Sequence, residues 1–220
     1  MKKIILSLVC IIIATSASMV KAQNSRWGVV AGATITNLHF KQDLFGTDQS
    51  LGYSAGVKGD LALGSIGFGV DAALLYTQRG ATLHLGDRKI WASEGYGVER
   101  SYLHYMELPI HLRYKYQNLN GIENIIAPFV YLGPSFSFLL GHSDIPALEY
   151  AKMAVSLQFG LGAEIKKKIH VYACYDMGVT YALKTKLLDN MSARNRGWKI
   201  SVAYYFDLLP PRVVYIGSTS

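Results

Sequence analysis

The sequence contains little cysteine and no clustered histidine, and both shortages narrow the choice of protein class. Its 220 residues include two cysteines, Cys10 and Cys174, and Cys10 lies in an N-terminal segment that we expect to be removed. A mature chain with one cysteine forms no intrachain disulfide. The histidines are scattered without the paired spacing of metal ligands. We therefore expect no metal site and no cofactor, and we interpret Cys174 as a small buried filler.

Long apolar runs and long basic runs are also missing from the body of the chain. No stretch beyond the N terminus reaches the 18 or so consecutive apolar residues of a transmembrane helix. The formal net charge of +7 falls to +4 when Lys2, Lys3 and Lys21 are removed with the N-terminal segment. This mild charge gives no indication of nucleic-acid binding. Half of the residues are nevertheless hydrophobic, so the apolar side chains must follow another pattern.

The N terminus has the three regions of a secretory signal peptide. Two lysines precede an apolar run from Ile4 to Ile13, and small residues lead to Val20-Lys21-Ala22. The alternative, an N-terminal membrane helix, is disfavoured because this run is too short to span a bilayer. We expect a signal peptide over 1–22, one barrel domain over 23–206 and a short tail over 207–220.

The segment from Tyr102 to Lys115 shows the pattern that replaces long apolar runs. Its even-numbered positions are mostly apolar or aromatic, and its odd-numbered positions include Glu107 and Arg113. A period of two predicts a β-strand with one apolar and one polar face. At about 3.3 Å per residue and a tilt of about 40°, the strand rises roughly 30 Å, which matches a bilayer with its aromatic borders.

Seven further segments repeat this design, and the connections between them alternate in length. We therefore predict an all-β protein, an eight-stranded antiparallel up-and-down transmembrane β-barrel, in the outer membrane. Long loops at one end and short turns at the other place both termini in the periplasm. We expect a monomeric barrel in contact with membrane lipid and lipopolysaccharide. The predicted strands are 27–38, 51–63, 66–77, 102–115, 127–140, 152–165, 169–181 and 197–206.

The composition of the polar face decides which face points inward. It is mostly Gly, Ser, Ala and Thr with a few charges of both signs, which fits a narrow lumen of paired ions better than a surface in water. A soluble ligand-binding barrel, with its apolar face inward, is the alternative. Eight strands leave room only for side chains, so we expect a plugged lumen. The predicted structural ion cluster of this lumen is Lys58, Asp71, Glu107, Arg113, Glu164, His170, Asp176 and Lys199.

Two hairpin registers follow from turn lengths. A two-residue loop at 64–65 would place Lys58 directly opposite Asp71, and Arg113 on the next strand would complete an ion cluster in the lower lumen. A three-residue turn at 166–168 would pair Glu164 with His170 in the same way, and Gln158 with Asp176.

Short motifs recur along the predicted strands: Gly28–Ala33, Asn37-Leu38, Gly52–Gly56, Leu74–Ala81, Glu107–Ile110 with Tyr102, Pro128–Ser135 and Phe159–Ala163. Together they resemble the motifs of the PorT-like outer-membrane β-barrel family of Gram-negative bacteria. The resemblance covers about 27–206 and implies the barrel fold and the outer-membrane location. It also implies a second functional hypothesis, because some PorT-type members are implicated in protein secretion by the type IX system. The chain departs from the usual terminal aromatic residue by continuing beyond Phe206.

Candidate chemistry is sparse. His104 and Ser101 lie near one strand end without an acidic partner, so we expect an interfacial histidine rather than a catalytic group and predict no enzyme. The Gly-x-Gly-x-Asp sequence at 67–71 lies within a strand, which excludes a phosphate loop. The connection 78–101 is the best candidate partner loop, for envelope or secretion proteins or for lipopolysaccharide phosphates. The residues of this connection that we expect to be exposed include Arg79, Arg88, Trp91, Tyr96 and Arg100.

Three functions are compatible with the sequence: a non-enzymatic structural or interaction barrel, a component of protein secretion, and a soluble ligand-binding barrel.

Overall fold

A computed structural model gives the fold of the chain. The predicted signal peptide over 1–22 and tail over 207–220 lie outside the described residues, and so do Arg88, Trp91 and Tyr96. The structure describes residues 25–40, 47–63, 67–84, 86, 92–93, 95, 97–116, 121–143, 145, 148–185 and 192–206.

The described residues form long strands rich in aromatic and β-branched side chains, together with two short strands. Apolar and small or polar residues alternate along the long strands, which suits a sheet with two different faces. In chain order the strands are β1 (Ser25–Phe40), β2 (Thr47–Leu63), β3 (Phe68–His84), β4 (Val98–Lys115), β5 (Ile126–His142), β6 (Leu148–Tyr150), β7 (Met153–Ile165), β8 (Ile169–Gly178), β9 (Leu183–Thr185) and β10 (Ser192–Phe206).

The eight long strands form a closed antiparallel barrel. Neighbouring strands follow the order β1-β2-β3-β4-β5-β7-β8-β10, and β10 pairs with β1 to close the sheet. The predicted eight-stranded antiparallel barrel is therefore confirmed. The short strands β6 and β9 pair with each other, and β9 extends the edge of β10. No helix among the described residues is long and apolar enough to cross a membrane.

Several strands are longer than the sequence predicts. β3 continues to His84 and β4 begins at Val98, so the connection placed at 78–101 is shorter than expected. Arg79 and Arg100 are consequently strand residues, and their assignment to a loop was wrong. Polar residues at the strand ends obscured the alternation there, although its parity continues through Thr77, Arg79 and Ala81.

The predicted register of the β2–β3 hairpin was wrong by two residues. Leu63 pairs with Phe68 instead of Ile66, so Lys58 lies opposite Ala73 and not opposite Asp71. The connection is two residues longer than the predicted two-residue loop. A shift of two residues keeps every side chain on its predicted face, because side chains alternate with a period of two.

The predicted register of the β7–β8 hairpin is confirmed. Ile165 pairs with Ile169, and Glu164 pairs with His170. The connecting turn places Lys166 at φ 48° and Lys167 at φ 59°. Consecutive positive φ values suit a tight hairpin but are unfavourable for residues with a Cβ atom.

The two faces of the barrel differ sharply in chemistry. Large apolar side chains such as Leu112, Val130 and Ile200 point outward and are 54–55% exposed. Charged and small side chains point inward and are buried. A soluble barrel has the opposite arrangement, so this apolar outer wall is that of a barrel surrounded by lipid.

Candidate functional site

The interior of the barrel holds most of the charged strand residues. All eight residues of the predicted ion cluster point inward and are at most 5% exposed. Buried charges are stable only with partners, so the pairing of these side chains determines what the interior can do. The structure places them in two networks instead of one.

The first network begins near the end of the barrel that carries the described chain termini. Glu164 accepts hydrogen bonds from Arg26 at 2.8 Å, from Lys115 at 3.0 Å and, at 2.8 Å, pairs with the His170 Nε2 atom. Arg26 also contacts Asp60. Strand β1 was predicted to start at Trp27, and Arg26 was therefore missed.

Arg113 extends this network toward the middle of the barrel. Its Nη2 atom lies 2.5 Å from Asp60 Oδ1, and its Nη1 atom lies 3.6 Å from Asp71 Oδ1. Lys58 Nζ then lies 2.9 Å from Asp71 Oδ2 and 4.4 Å from the centre of the Tyr172 ring. Lys58, Asp71 and Arg113 thus meet in one network, with Asp60 as an additional partner.

The second network lies nearer the opposite end of the barrel and is centred on Glu107. Its carboxylate lies 2.8 Å from Lys199 Nζ and 3.1 Å from Arg79 Nη2, and it accepts a hydrogen bond from Gln158 at 2.6 Å. Asp176 lies 2.8 Å from Arg79 Nη2 and accepts a second hydrogen bond from Gln158 at 2.6 Å. Arg79 was missed because the sequence assigned it to a loop.

A cavity of about 10 Å³ separates the two networks. This volume is close to the minimum for one water molecule. Polar groups of both networks line the cavity, including Lys58, Asp71, Gln158 and Lys199. His111 also reaches it and pairs with Gln158 at 3.0 Å. Cys174 lies on the same wall and is 1% exposed, consistent with a small filler.

The charges of the two networks nearly balance. Among the described residues the ion pairs inside the barrel join six lysine or arginine side chains to five carboxylates. Each carboxylate therefore has at least one cation against it. Large aromatic side chains fill the space around them, including Phe129, Tyr131 and Tyr172, with Tyr131 and Tyr172 in an edge-to-face contact at 5.7 Å.

An apolar cluster lies across the end of the barrel remote from the described termini. Leu148 of β6 and Leu183 of β9 pack there against residues of the barrel wall, and both are at most 3% exposed. Both segments lie in regions predicted from the sequence to be connections, so this packing was not expected. The cluster, which we call the apolar cap, consists of Leu38, Ala81, Leu83, Leu103, Tyr105, Ile145, Leu148, Ala182, Leu183 and Ala193.

The structure also places the weaker chemical candidates. Ser101 is fully buried inside the barrel, whereas His104 lies on the outer face and its Nδ1 atom is 2.7 Å from the Tyr76 hydroxyl oxygen. The two residues are on opposite faces of β4 and do not form a catalytic pair. Arg100 is exposed in the same strand, near its first residue.

Three buried side chains have the composition of a metal site. Ligand atoms of Asp60, Glu164 and His170 lie within 4.8 Å of one another. Arg26 contacts both carboxylates, and Arg113 adds a second guanidinium at Asp60. These cations occupy the positions where a divalent ion would bind and would repel it. The arrangement therefore acts as an ion-pair network.

A closed barrel with an apolar outer wall and a charged interior belongs to the class of transmembrane β-barrels. The sequence model of the family described as outer membrane protein beta-barrel domain matches residues 21–183. The chain belongs to this family, and it is an outer-membrane barrel. Among curated proteins, no sequence matches the chain.

Solved structures of other outer-membrane barrels are similar to this chain at low sequence identity. Ail, the attachment invasion locus protein of Yersinia pestis, is 14% identical, with a TM-score of 0.46 over 84% of this chain and 100% of that chain. OprG from Pseudomonas aeruginosa is 9% identical, with a TM-score of 0.46 over 83% and 94%. Neisserial surface protein A is 13% identical, with a TM-score of 0.45 over 84% and 100%.

Proposed function

We propose that this protein is a non-enzymatic outer-membrane barrel with a plugged lumen, which serves as a structural or interaction platform. The proposal rests on the filled interior: two ion networks and an apolar cap occupy successive levels of the lumen. A water-filled pore needs a continuous open path, and the interior cavity between the networks has room for about one water molecule. The termini would lie in the periplasm and the apolar cap at the cell surface.

Planar-bilayer recording tests the plugged lumen. The purified barrel should give at most small, erratic conductance. The matched variant Tyr131→Ala/Tyr172→Ala removes two rings beside the cavity and should show larger or more frequent openings, which demonstrates that the assay detects an opened lumen. A steady, large, porin-like conductance of the unmodified protein would contradict the proposal.

The interaction role is tested by crosslinking and pull-down from native outer membranes, because only a partner distinguishes a platform from a secretion component. A defined envelope partner with an unchanged secretome in a deletion strain supports the platform. Loss of a secreted cargo in that strain would instead support the PorT-type role in protein secretion.

A further inference from the structure

Two arginines and one histidine form a basic patch on the outer face of the barrel. Arg194 and Arg196 belong to β10, and their side chains are on the same face as the exposed Trp198. In the register that closes the barrel, Arg194 pairs with His39 and Arg196 pairs with Asn37. We call Arg194, Arg196 and His39 the basic seam, because they lie where the first and last strands join.

The basic seam lies at the border of the apolar wall. Below it on β10, the outward positions are Trp198, Ile200, Val202, Tyr204 and Phe206. At about 3.3 Å per residue and a tilt of about 40°, β10 rises roughly 25 Å from Phe206 to Arg196. The apolar band of an outer-membrane barrel is also about 25 Å tall. Arg196 is therefore level with the edge of the hydrocarbon region. Arg194, the next outward-facing position on β10, lies beyond that edge.

The arginines of the seam differ from those inside the barrel in their partners. Arg26, Arg79 and Arg113 each contact a carboxylate. Within the described part of the chain, no carboxylate lies within 4.0 Å of Arg194 or Arg196.

Local packing holds these two side chains against the outer wall. Arg194 lies over the Tyr181 ring, with its guanidinium carbon 4.9 Å from the ring centre. The Nε atom of Arg196 is buried and has no hydrogen-bond partner among the described residues. Both positive charges therefore lack an anion within this part of the protein.

We propose that the basic seam binds a phosphate group on the headgroup of an outer-leaflet glycolipid. Guanidinium groups bind phosphate with two parallel hydrogen bonds, and the seam offers two of them close together at headgroup depth. Directly below, Trp198 packs against Tyr175 with ring centres 5.2 Å apart, and this aromatic surface would contact the acyl chains. Basic residues at the membrane border attract anionic headgroups in the same way.

The depth of the seam favours a lipid as the occupant over a protein. Its lower border is continuous with the apolar wall through Trp198 and Ile35, which pair directly. A lipid offers both a phosphate and acyl chains in this vertical order. The inference depends on the proposed orientation, with the apolar cap at the cell surface.

Native mass spectrometry of the folded barrel in detergent tests the binding site. The protein is titrated with bisphosphorylated lipid A and, separately, with the same lipid A after phosphatase treatment. The unmodified protein should bind the phosphorylated form more tightly. The variant Arg194→Gln/Arg196→Gln should weaken that binding by about tenfold or more, because two charge-assisted interactions are lost.

A matched control removes one positive charge from another place at the same end. Lys152 is exposed just before β7, and Lys152→Gln should bind lipid A like the unmodified protein. Equal binding of phosphorylated and dephosphorylated lipid A, or unchanged binding by the double variant, would overturn the inference. Equal competition by phosphatidylglycerol would overturn the assignment to a glycolipid.

The orientation is measured independently. A membrane-impermeant thiol reagent should label Lys152→Cys on intact cells, whereas the native Cys174 is buried and should not react. Labelling only after the cells are opened would reject the proposed orientation, and with it the access of the seam to outer-leaflet glycolipid. Bilayer conductance of the double variant should equal that of the unmodified protein, so a failure of the lipid site remains separate from a failure of the plugged lumen.

Discussion

Lys58 and Asp71 form a buried ion pair although they are not cross-strand neighbours. Lys58 pairs with Ala73 and Asp71 pairs with Asp60, yet the Nζ and Oδ2 atoms are 2.9 Å apart. The lysine side chain reaches diagonally across the inner face to Asp71. Long side chains can span the distance between such diagonal neighbours on adjacent strands. Asp71 also faces Arg113, so the two members of the pair differ in their remaining partners.

This difference predicts unequal costs for the two neutralising substitutions. Asp71→Asn leaves Lys58 buried beside the Tyr172 ring without its carboxylate, and should lower the free energy of unfolding by about 3–5 kcal/mol. Lys58→Met leaves Asp71 with Arg113 and should cost less. Urea unfolding followed by the gel-mobility shift of the folded barrel measures both. Equal costs would show that Arg113 does not compensate Asp71.

Glu107 is the carboxylate with the most partners in the second network, so its substitution should lower the free energy of unfolding the most. Glu107→Gln leaves Lys199 and Arg79 with an uncharged partner in the interior, so we expect a loss of about 3–5 kcal/mol in unfolding free energy. The control Glu149→Gln changes an exposed carboxylate of β6 and should stay within about 0.5 kcal/mol of the unmodified protein. Matching stabilities of the two variants would contradict the network.

Substitutions in the turn between β7 and β8 should stabilise the barrel. Lys166 and Lys167 both have positive φ, which residues with a Cβ atom adopt at a cost. Lys166→Asn/Lys167→Gly introduces the residues preferred in such turns and should raise the unfolding free energy by about 1 kcal/mol. The hydrogen bond from Arg26 to the Lys167 carbonyl oxygen involves the backbone and is retained.

The reverse substitution, of a glycine with positive φ by a residue with a Cβ atom, tests the same backbone effect at another turn. Gly121 has φ 96°, and Gly121→Ala should destabilise the barrel by about 1 kcal/mol. If both variants changed stability in the same direction, backbone conformation would not be the cause.

The apolar cap should depend on Leu183. Leu183→Ala removes a fully buried side chain and should cost about 2–5 kcal/mol in local stability. Hydrogen exchange at the amides of β6 should accelerate, because Leu148 packs in the same cluster. The matched variant Leu140→Ala changes a leucine that is 60% exposed on the outer wall and should leave that exchange unchanged. Slow exchange of β6 in both variants would argue against the cap.

The sequence predicted the barrel and the two faces because both depend only on alternation. An error of two residues in the β2–β3 register left Lys58 and Asp71 inside, since parity survives such a shift. Strand ends were less predictable. Arg26 and Arg79 lie just outside the predicted strands, and both are central to the interior networks. Continuing the parity of Asp71 through Arg79 would have found the latter.

The alternation of apolar and polar residues did not predict the apolar cap. Ile145, Leu148 and Leu183 lie in or beside short strands, where no repeating pattern distinguishes a buried residue from a loop residue. Their burial arises from contacts between β6, β9 and distant barrel strands. Such contacts depend on how far a connection folds back over the lumen, which local sequence does not specify.

The pairing of β1 with β10 has a consequence for the order of events during membrane insertion. The first strand finds one of its two neighbours only after the last strand has been made. Until then, both edges expose backbone donors and acceptors that lipid cannot satisfy. Each intermediate with fewer strands has the same defect, so a piece of this chain that lacks one of the eight long strands cannot close this barrel. Assembly should therefore be cooperative, and a chain truncated before Ser192 should be degraded instead of accumulating in the outer membrane.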